Sequence, residues 1–119
     1  MTGASVFCAT VLYPANSGGA FDVERYASEL APRYAQVLGE NCFAFEVRRG
    51  LNSPGAAAPA FLCVANFWIR SREQFGNALG TPEMKELMAD IAAFSRVQPL
   101  RQFDEQVIGN ALSAGSRAG

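Results

Sequence analysis

The sequence predicts a single α+β domain of order β-α-β-β-α-β, a four-stranded antiparallel sheet with its helices on one face. Three observations carry this. Four strand-like runs alternate with helical stretches in that order. The first and third runs are apolar on both faces, the pattern of a sheet covered on both sides. Finally, 119 residues, 50% hydrophobic, 11% aromatic and 18% charged, suit one domain with a substantial core rather than a disordered chain.

The first strand is SVFCATVLY, residues 5–13, rich in β-branched and aromatic side chains and stopped by Pro14. Asn16, Ser17, Gly18 and Gly19 form a loop by composition. Asp22 then caps a helix in which Val23, Tyr26, Ala27, Leu30, Tyr34, Val37 and Leu38 recur at helical spacing, and Gly39 ends it. Pro32 lies inside that helix, removes a backbone donor, and predicts a kink that frees the carbonyl of Ser28. The second strand, CFAFEVRR at 42–49, puts Phe43, Phe45 and Val47 on one face and Ala44, Glu46 and Arg48 on the other. A Gly, Pro and Ala loop leads to the third strand, AFLCVANFWI at 60–69, apolar except for Asn66. Ser71 to Gln74 has the form of a capping box opening a short helix through Leu79. Thr81-Pro82 restarts it, and Met84, Leu87, Met88 and Ile91 give an apolar stripe. Residues 97–108 read as the fourth strand, so the domain spans 1–108 and 109–119 form a flexible tail of small residues.

This order is that of the ferredoxin-like split βαβ sheet. Two helical segments cover one face of four strands, so the second apolar face must meet another subunit or enclose an apolar ligand, and a homodimer is the economical answer.

Composition narrows the chemistry. Ten Lys and Arg balance eleven Asp and Glu, with no basic block, so nucleic acid and anionic membrane are not expected partners. No run approaches the ~18 apolar residues of a membrane span. The chain contains no histidine, which excludes imidazole bases, Ser-His-Asp and Cys-His pairs, and His-ligated metal. Cys8, Cys42 and Cys63 are far apart in apolar runs and form no CxxC pair, which predicts reduced thiols, no metal site and a cytoplasmic protein. The N-terminal residues lack the positive region of a signal peptide. The loop before the first helix lacks phosphate-binding spacing, and no cofactor is expected.

Several local motifs, in order, resemble those of the EthD family within the dimeric α/β-barrel superfamily. They are Leu12-Tyr13-Pro14, Phe21-Asp22, Tyr26 and Pro32, then the run Val47 to Leu51, and finally Met88-Ala89-Asp90-Ile91, Phe94 and Gln98-Pro99. The resemblance implies two protomers packed sheet to sheet, each with a pocket between its sheet and first helix. It also implies kinship with cofactor-free monooxygenases, lactone isomerases and polyketide cyclases of catabolic or secondary metabolism. Family members commonly carry a His-x-Pro motif where this chain has Leu30-Ala31-Pro32.

Without histidine, the candidate chemistry rests on other groups. Tyr13, at a strand end beside a glycine-rich loop, is placed to donate a hydrogen bond to a carbonyl or enolate oxygen. Glu46, the one acid inside the first three strands, would be a general base if desolvated, or would pair with Arg48. Asp90 flanks the apolar stripe of the last helix and is the second acid/base candidate. The pocket wall is expected from Phe7, Phe61 and Trp68, with Tyr26 and Leu30 contributed by the helix. Asn66, a buried amide, must be hydrogen-bonded to backbone or aimed into the pocket. Arg101 suits an exposed edge or dimer contact better than an anion site. Two functions remain: a cofactor-independent enzyme acting on an apolar carbonyl or aromatic compound, or a non-catalytic binding or accessory protein that keeps the pocket and lacks the histidine.

Overall fold

The computed structural model of the chain describes residues 5–15, 19–55 and 58–109. The predicted tail beyond Gly109, and residues 16–18 of the predicted glycine loop, lie outside the described residues. Strands β1 (Phe7–Pro14), β2 (Cys42–Arg49), β3 (Phe61–Ile69) and β4 (Leu100–Glu105) form one sheet in the order β2-β3-β1-β4. Every neighbouring pair is antiparallel. The predicted ferredoxin-like arrangement is the one observed.

Alternation sorts the sheet into two faces. Ala9, Val11 and Tyr13 of β1 and Cys63, Ala65, Phe67 and Ile69 of β3 are buried against the helices. Their neighbours Cys8, Thr10, Leu12, Leu62, Val64 and Trp68 point the other way and are only half-buried in the single chain. On β2, register places Ala44, Glu46 and Arg48 with this second face, as the alternation predicts. Phe43 is the exception. An irregularity between Cys42 and Ala44 leaves it out of the pairing, and Arg70 lies over its ring at 5.1 Å.

The first helix begins as a short turn, α1 (Val23–Arg25), whose Asp22 cap accepts the Arg25 N–H at 3.0 Å. It continues as a π-helical segment, Tyr26–Leu30, and then as α2 (Ala31–Leu38). The sequence predicts a kink at Pro32; the structure relieves the same conflict with a wider turn. Pro32 lacks an N–H and its ring crowds the carbonyl four residues back. Immediately before it, the Ala31 N–H reaches back five residues to the Tyr26 carbonyl. Gly39, at a φ of 69°, ends the helix as predicted. Helices α3 (Arg72–Leu79) and α4 (Pro82–Phe94) start at the predicted caps, Ser71 and Thr81.

Asn41, buried between these elements, exchanges two hydrogen bonds with the backbone of Ser71 at 2.8 and 2.9 Å and ties the start of β2 to the start of α3. At the other end of β2, a Cβ on Gly50 would collide with the carbonyl of Phe61, so only glycine lets the two strands close there.

The fourth strand is shorter than predicted, six residues rather than the span 97–108. Val97 is a core plug, its N–H bonded at 3.0 Å to the Ser95 hydroxyl, and Pro99 has no donor for a ladder. Beyond Glu105, Val107 and Ile108 are 94% and 92% exposed and make no strand. No helix among the described residues is long and apolar enough to cross a membrane.

Candidate functional site

Between the β1–β4 half of the sheet and helices α2, α3 and α4 lies an open cavity of about 330 Å³. Ala9 and Val11 form its floor, Phe103 and Arg101 of β4 one side, and Tyr34, Phe75, Leu79 and Met88 its helical walls. The volume sits at the lower end of the range for small-molecule sites, and the lining is mainly apolar. Ala9 opens this space, because a larger side chain in the middle of β1 would fill it.

The cavity continues inward as a pocket of about 10 Å³ that shares Val11, Tyr34, Met88 and Arg101 and reaches Tyr13, Tyr26 and Ile91. Here aromatic rings pack closely: Tyr13 lies 4.2 Å from Phe21 and 5.2 Å from Tyr26, and Phe94 closes on Phe21 at 5.3 Å. Tyr13 is 1% exposed, and its Oη is buried without a hydrogen bond among the described residues. The Tyr26 phenol is close enough to influence it, yet the geometry does not complete a bond. A buried unsatisfied hydroxyl costs about 1–3 kcal/mol, so such groups mark sites that something else completes.

Burial pushes the Tyr13 phenol up to about 12, against the opposing pull of the Arg101 guanidinium and of Tyr26. Tyr26 is driven up more strongly by burial, and Tyr34 is raised for the same reason with Arg101 again opposing. All three phenols are therefore neutral donors at physiological pH. They can hydrogen-bond a carbonyl or stabilise an oxyanion, but none is poised as a base.

The predicted site residues fall into separate groups. Tyr13 and Tyr26 meet at the inner pocket. Leu30 and Asp90 share a different, outer groove of about 450 Å³ with Arg25, Arg33 and Phe94. There Asp90 is paired with Arg33 at 2.8 Å, although the sequence places it beside Glu83 and Glu86. Phe7 stacks on the far side of Phe103 at 5.6 Å and so backs the cavity wall. Phe61 stands at the start of β3 opposite Pro14.

Glu46, Asn66 and Trp68 are on the opposite face of the sheet. Within one chain, therefore, Glu46 cannot work on a molecule held by Tyr13, and Trp68 does not share a wall with Phe7. The reason is register: residue 66 is even on a strand whose odd positions face the helices. Asn66 is bonded to side chains rather than to backbone or a pocket. Its Nδ2 donates to Glu46 Oε2 at 2.9 Å, and its Oδ1 accepts from the Thr10 hydroxyl at 2.8 Å. Arg48 completes the cluster at 3.0 Å from the same Glu46 oxygen.

The sequence reading misses Tyr34, Phe75, Met88 and Phe103 as cavity residues; it rightly places Arg101 on an exposed edge strand but not over the cavity. Arg101 is exposed, but its position opposite Val11 turns it to the helix side over the cavity. Tyr34 had a signal, since it continues the inward stripe of Tyr26 and Leu30. Arg101 had none, because only the β1–β4 register decides its face.

Cys63 is buried and free, its thiol pushed up to about 11 by burial, while Cys8 and Cys42 are half-buried and free. No cluster of three or more metal-binding side chains occurs among the described residues.

No protein of curated function matches this sequence. Among solved structures, the fold is similar to that of an EthD-like protein from Ralstonia eutropha JMP134, 29% identical over 92% of this chain and 98% of that one, with a TM-score of 0.80. It is similar also to an ethyl tert-butyl ether D family protein from Bacillus halodurans C-125, 19% identical over 86% and 99% of the two chains, with a TM-score of 0.68. A third similar structure is a single-substitution mutant of SnoaB from Streptomyces nogalater, described as a cofactor-independent oxygenase. It is 11% identical over 96% of this chain and all of that one, with a TM-score of 0.58, a likeness of fold. The sequence itself matches the EthD domain from residue 21 to 97, which takes in all of the helical layer and strands β2 and β3, and the chain belongs to the EthD family.

Proposed function

We propose that this EthD protein takes a small apolar carbonyl or aromatic compound into the cavity between sheet and helices, and that the inner phenols hydrogen-bond its oxygen. The observation that carries this is the Tyr13 hydroxyl, buried and, among the described residues, unpartnered at the inner end of an apolar cavity. A ligand oxygen there would satisfy it. Tyr26 and Tyr34 stand at the same pocket as further neutral donors. Donors fixed around an oxygen stabilise it more as charge develops, which favours enolisation of a bound ketone, its α-proton passing to solvent water at the open mouth of the cavity. The cofactor-independent oxygenase named for SnoaB is one reaction type in keeping with such a site.

The active assembly in this reading is a homodimer in a reducing, cytoplasmic setting. Leu12, Leu62, Val64 and Trp68 leave an apolar surface around the Glu46–Asn66–Thr10 cluster, and a second copy would cover it. The three free cysteines suit the compartment.

A second reading, binding without catalysis, is favoured by Leu30 and by the absence of any carboxylate from the cavity walls among the described residues. One experiment decides between them. In D2O, 2-tetralone is titrated into the protein and its α-proton exchange followed by NMR. Saturable binding with exchange faster than in a Tyr13→Phe variant supports the catalytic reading, and binding without faster exchange supports the binder. No binding at millimolar 2-tetralone removes the neutral-carbonyl reading.

A further inference from the structure

Resting on the cavity reading above, we infer that the compound bound there is a planar oxyanion on an apolar body, a carboxylate, phenolate or enolate, and that Arg101 is the residue selecting it. Arg101 reaches both the main cavity and the inner pocket. Its side-chain hydrogen bond is to the Met88 sulfur at 3.5 Å, a weak acceptor that carries no charge. The carboxylates that pair with arginines do so elsewhere: Glu29 with Arg25, Asp90 with Arg33, Glu46 with Arg48 and Glu24 with Arg49. No ion pair to Arg101 occurs among the described residues, and no acidic side chain lines either space.

The consequence for ligand choice is electrostatic. A neutral apolar molecule filling the cavity would strip water from the guanidinium and return nothing. An oxyanion replaces that water with a charge-assisted, two-pronged contact, which guanidinium geometry favours for planar acids. The rest of the site fits the same ligand. Tyr13 and Tyr34, both within electrostatic reach of Arg101, add neutral donors on the inner side. Phe75 and Phe103, stacked at 4.8 Å, give an aromatic wall for the ligand's body. Of the two acids on β4, Asp104 turns to the opposite face, where it accepts from Gln102 at 2.8 Å, and Glu105, on the helix side but at the far end of the strand opposite Phe7, accepts from the Ser5 hydroxyl at 3.0 Å.

The test is isothermal titration of 2-naphthoate and of 2-naphthamide, which have the same shape and differ in charge, into the wild-type protein and into Arg101→Gln and Arg101→Lys. The expected result is that wild type binds naphthoate at least about tenfold more tightly than naphthamide. Arg101→Gln should lose that preference by weakening naphthoate alone, and Arg101→Lys should keep part of it. Because Arg101 is exposed, both variants are expected to melt at the wild-type temperature, checked by circular dichroism. Equal affinity for the two probes, or a preference that survives Arg101→Gln, overturns the inference. If 2-tetralone or naphthamide binds while naphthoate gains nothing, the cavity reading stands and the anion inference falls. If none of the three probes binds, both fall.

Discussion

The two faces of the sheet each hold a buried polar side chain, and they treat it in opposite ways. On the helix side, Tyr13 is 1% exposed and its hydroxyl has no partner among the described residues. On the other side, Asn66 is 7% exposed, and its amide is engaged at both ends by Glu46 and Thr10. The closed side has a cavity beside the unsatisfied group. The open side, among the described residues, has no unsatisfied group and a half-covered apolar surface. Unmet hydrogen bonding inside an apolar shell points to a small molecule, which can supply one oxygen. A satisfied polar cluster within an apolar surface points to a protein partner, which can bury it without breaking it.

The largest expected contrast lies between adjacent residues on β3. Phe67, fully buried against Tyr34 at 4.5 Å and Phe45 at 5.8 Å, should lose about 3–5 kcal/mol of stability when changed to alanine. Trp68→Ala, one residue on but facing outward, should affect folding much less and mainly weaken assembly. Urea denaturation at low protein concentration measures the first effect and sedimentation the second. Equal folding losses would erase the distinction between the faces.

Next in size is Glu46→Lys, which replaces the shared partner of Asn66 and Arg48 with a like charge. If a second copy covers this face, assembly should weaken by about 2–5 kcal/mol, visible as a monomer in sedimentation velocity. Unchanged assembly would remove this face as the surface on which copies meet.

Tyr13→Phe is the smaller and sharper test. Removing an unpartnered hydroxyl should leave stability unchanged or raise it by up to about 1 kcal/mol, while ligand affinity falls. A destabilised variant would show that the hydroxyl is already satisfied in the free protein.

The last prediction concerns pH. Tyr13 has its phenol raised from an ordinary value of 10 to about 12 by burial, so above pH 10 the unfolded chain gives up a proton that the folded one keeps. Stability should therefore be level through neutral pH and decline from about pH 9, where the buried Cys63 thiol begins the same loss, through pH 12. Tyr13→Phe should flatten that decline in part, with Tyr26, Tyr34 and the buried thiols, Cys63 foremost, supplying the remainder, as followed by chemical denaturation across the alkaline range.

Much of the fold is legible before any coordinates. Asp22, Ser71 and Thr81 announce helix starts by local chemistry, and Gly39 announces a stop, because caps depend on a few neighbouring atoms. The alternation of Ala44, Glu46 and Arg48 against Phe45 and Val47 is legible for the same reason. The site is less so. Tyr13 and Tyr26 come together as the inward stripe implies, yet Glu46, Asn66 and Trp68 belong to the other face. Strands apolar on both sides offer no contrast from which to choose a face, so the choice is made by register against neighbours far away in sequence. Arg101 illustrates this most clearly. Nothing in Leu100 to Glu105 tells which residues look toward the helices until β4 is laid beside β1.

The widened turn before Pro32 has an effect on what this helix can present. In a regular helix, eight residues carry the chain about 80° beyond two full revolutions. Tyr26 and Tyr34 would then look in noticeably different directions. The broader segment between them takes back part of that rotation, and both rings end at one small pocket. A proline that merely interrupts a helix elsewhere acts here as a phase adjuster, and the alignment of two donors is stored in the backbone rather than in either side chain. Closing the same eight residues into a regular α-helix would swing Tyr34 away from Tyr26 without altering a single atom of either phenol.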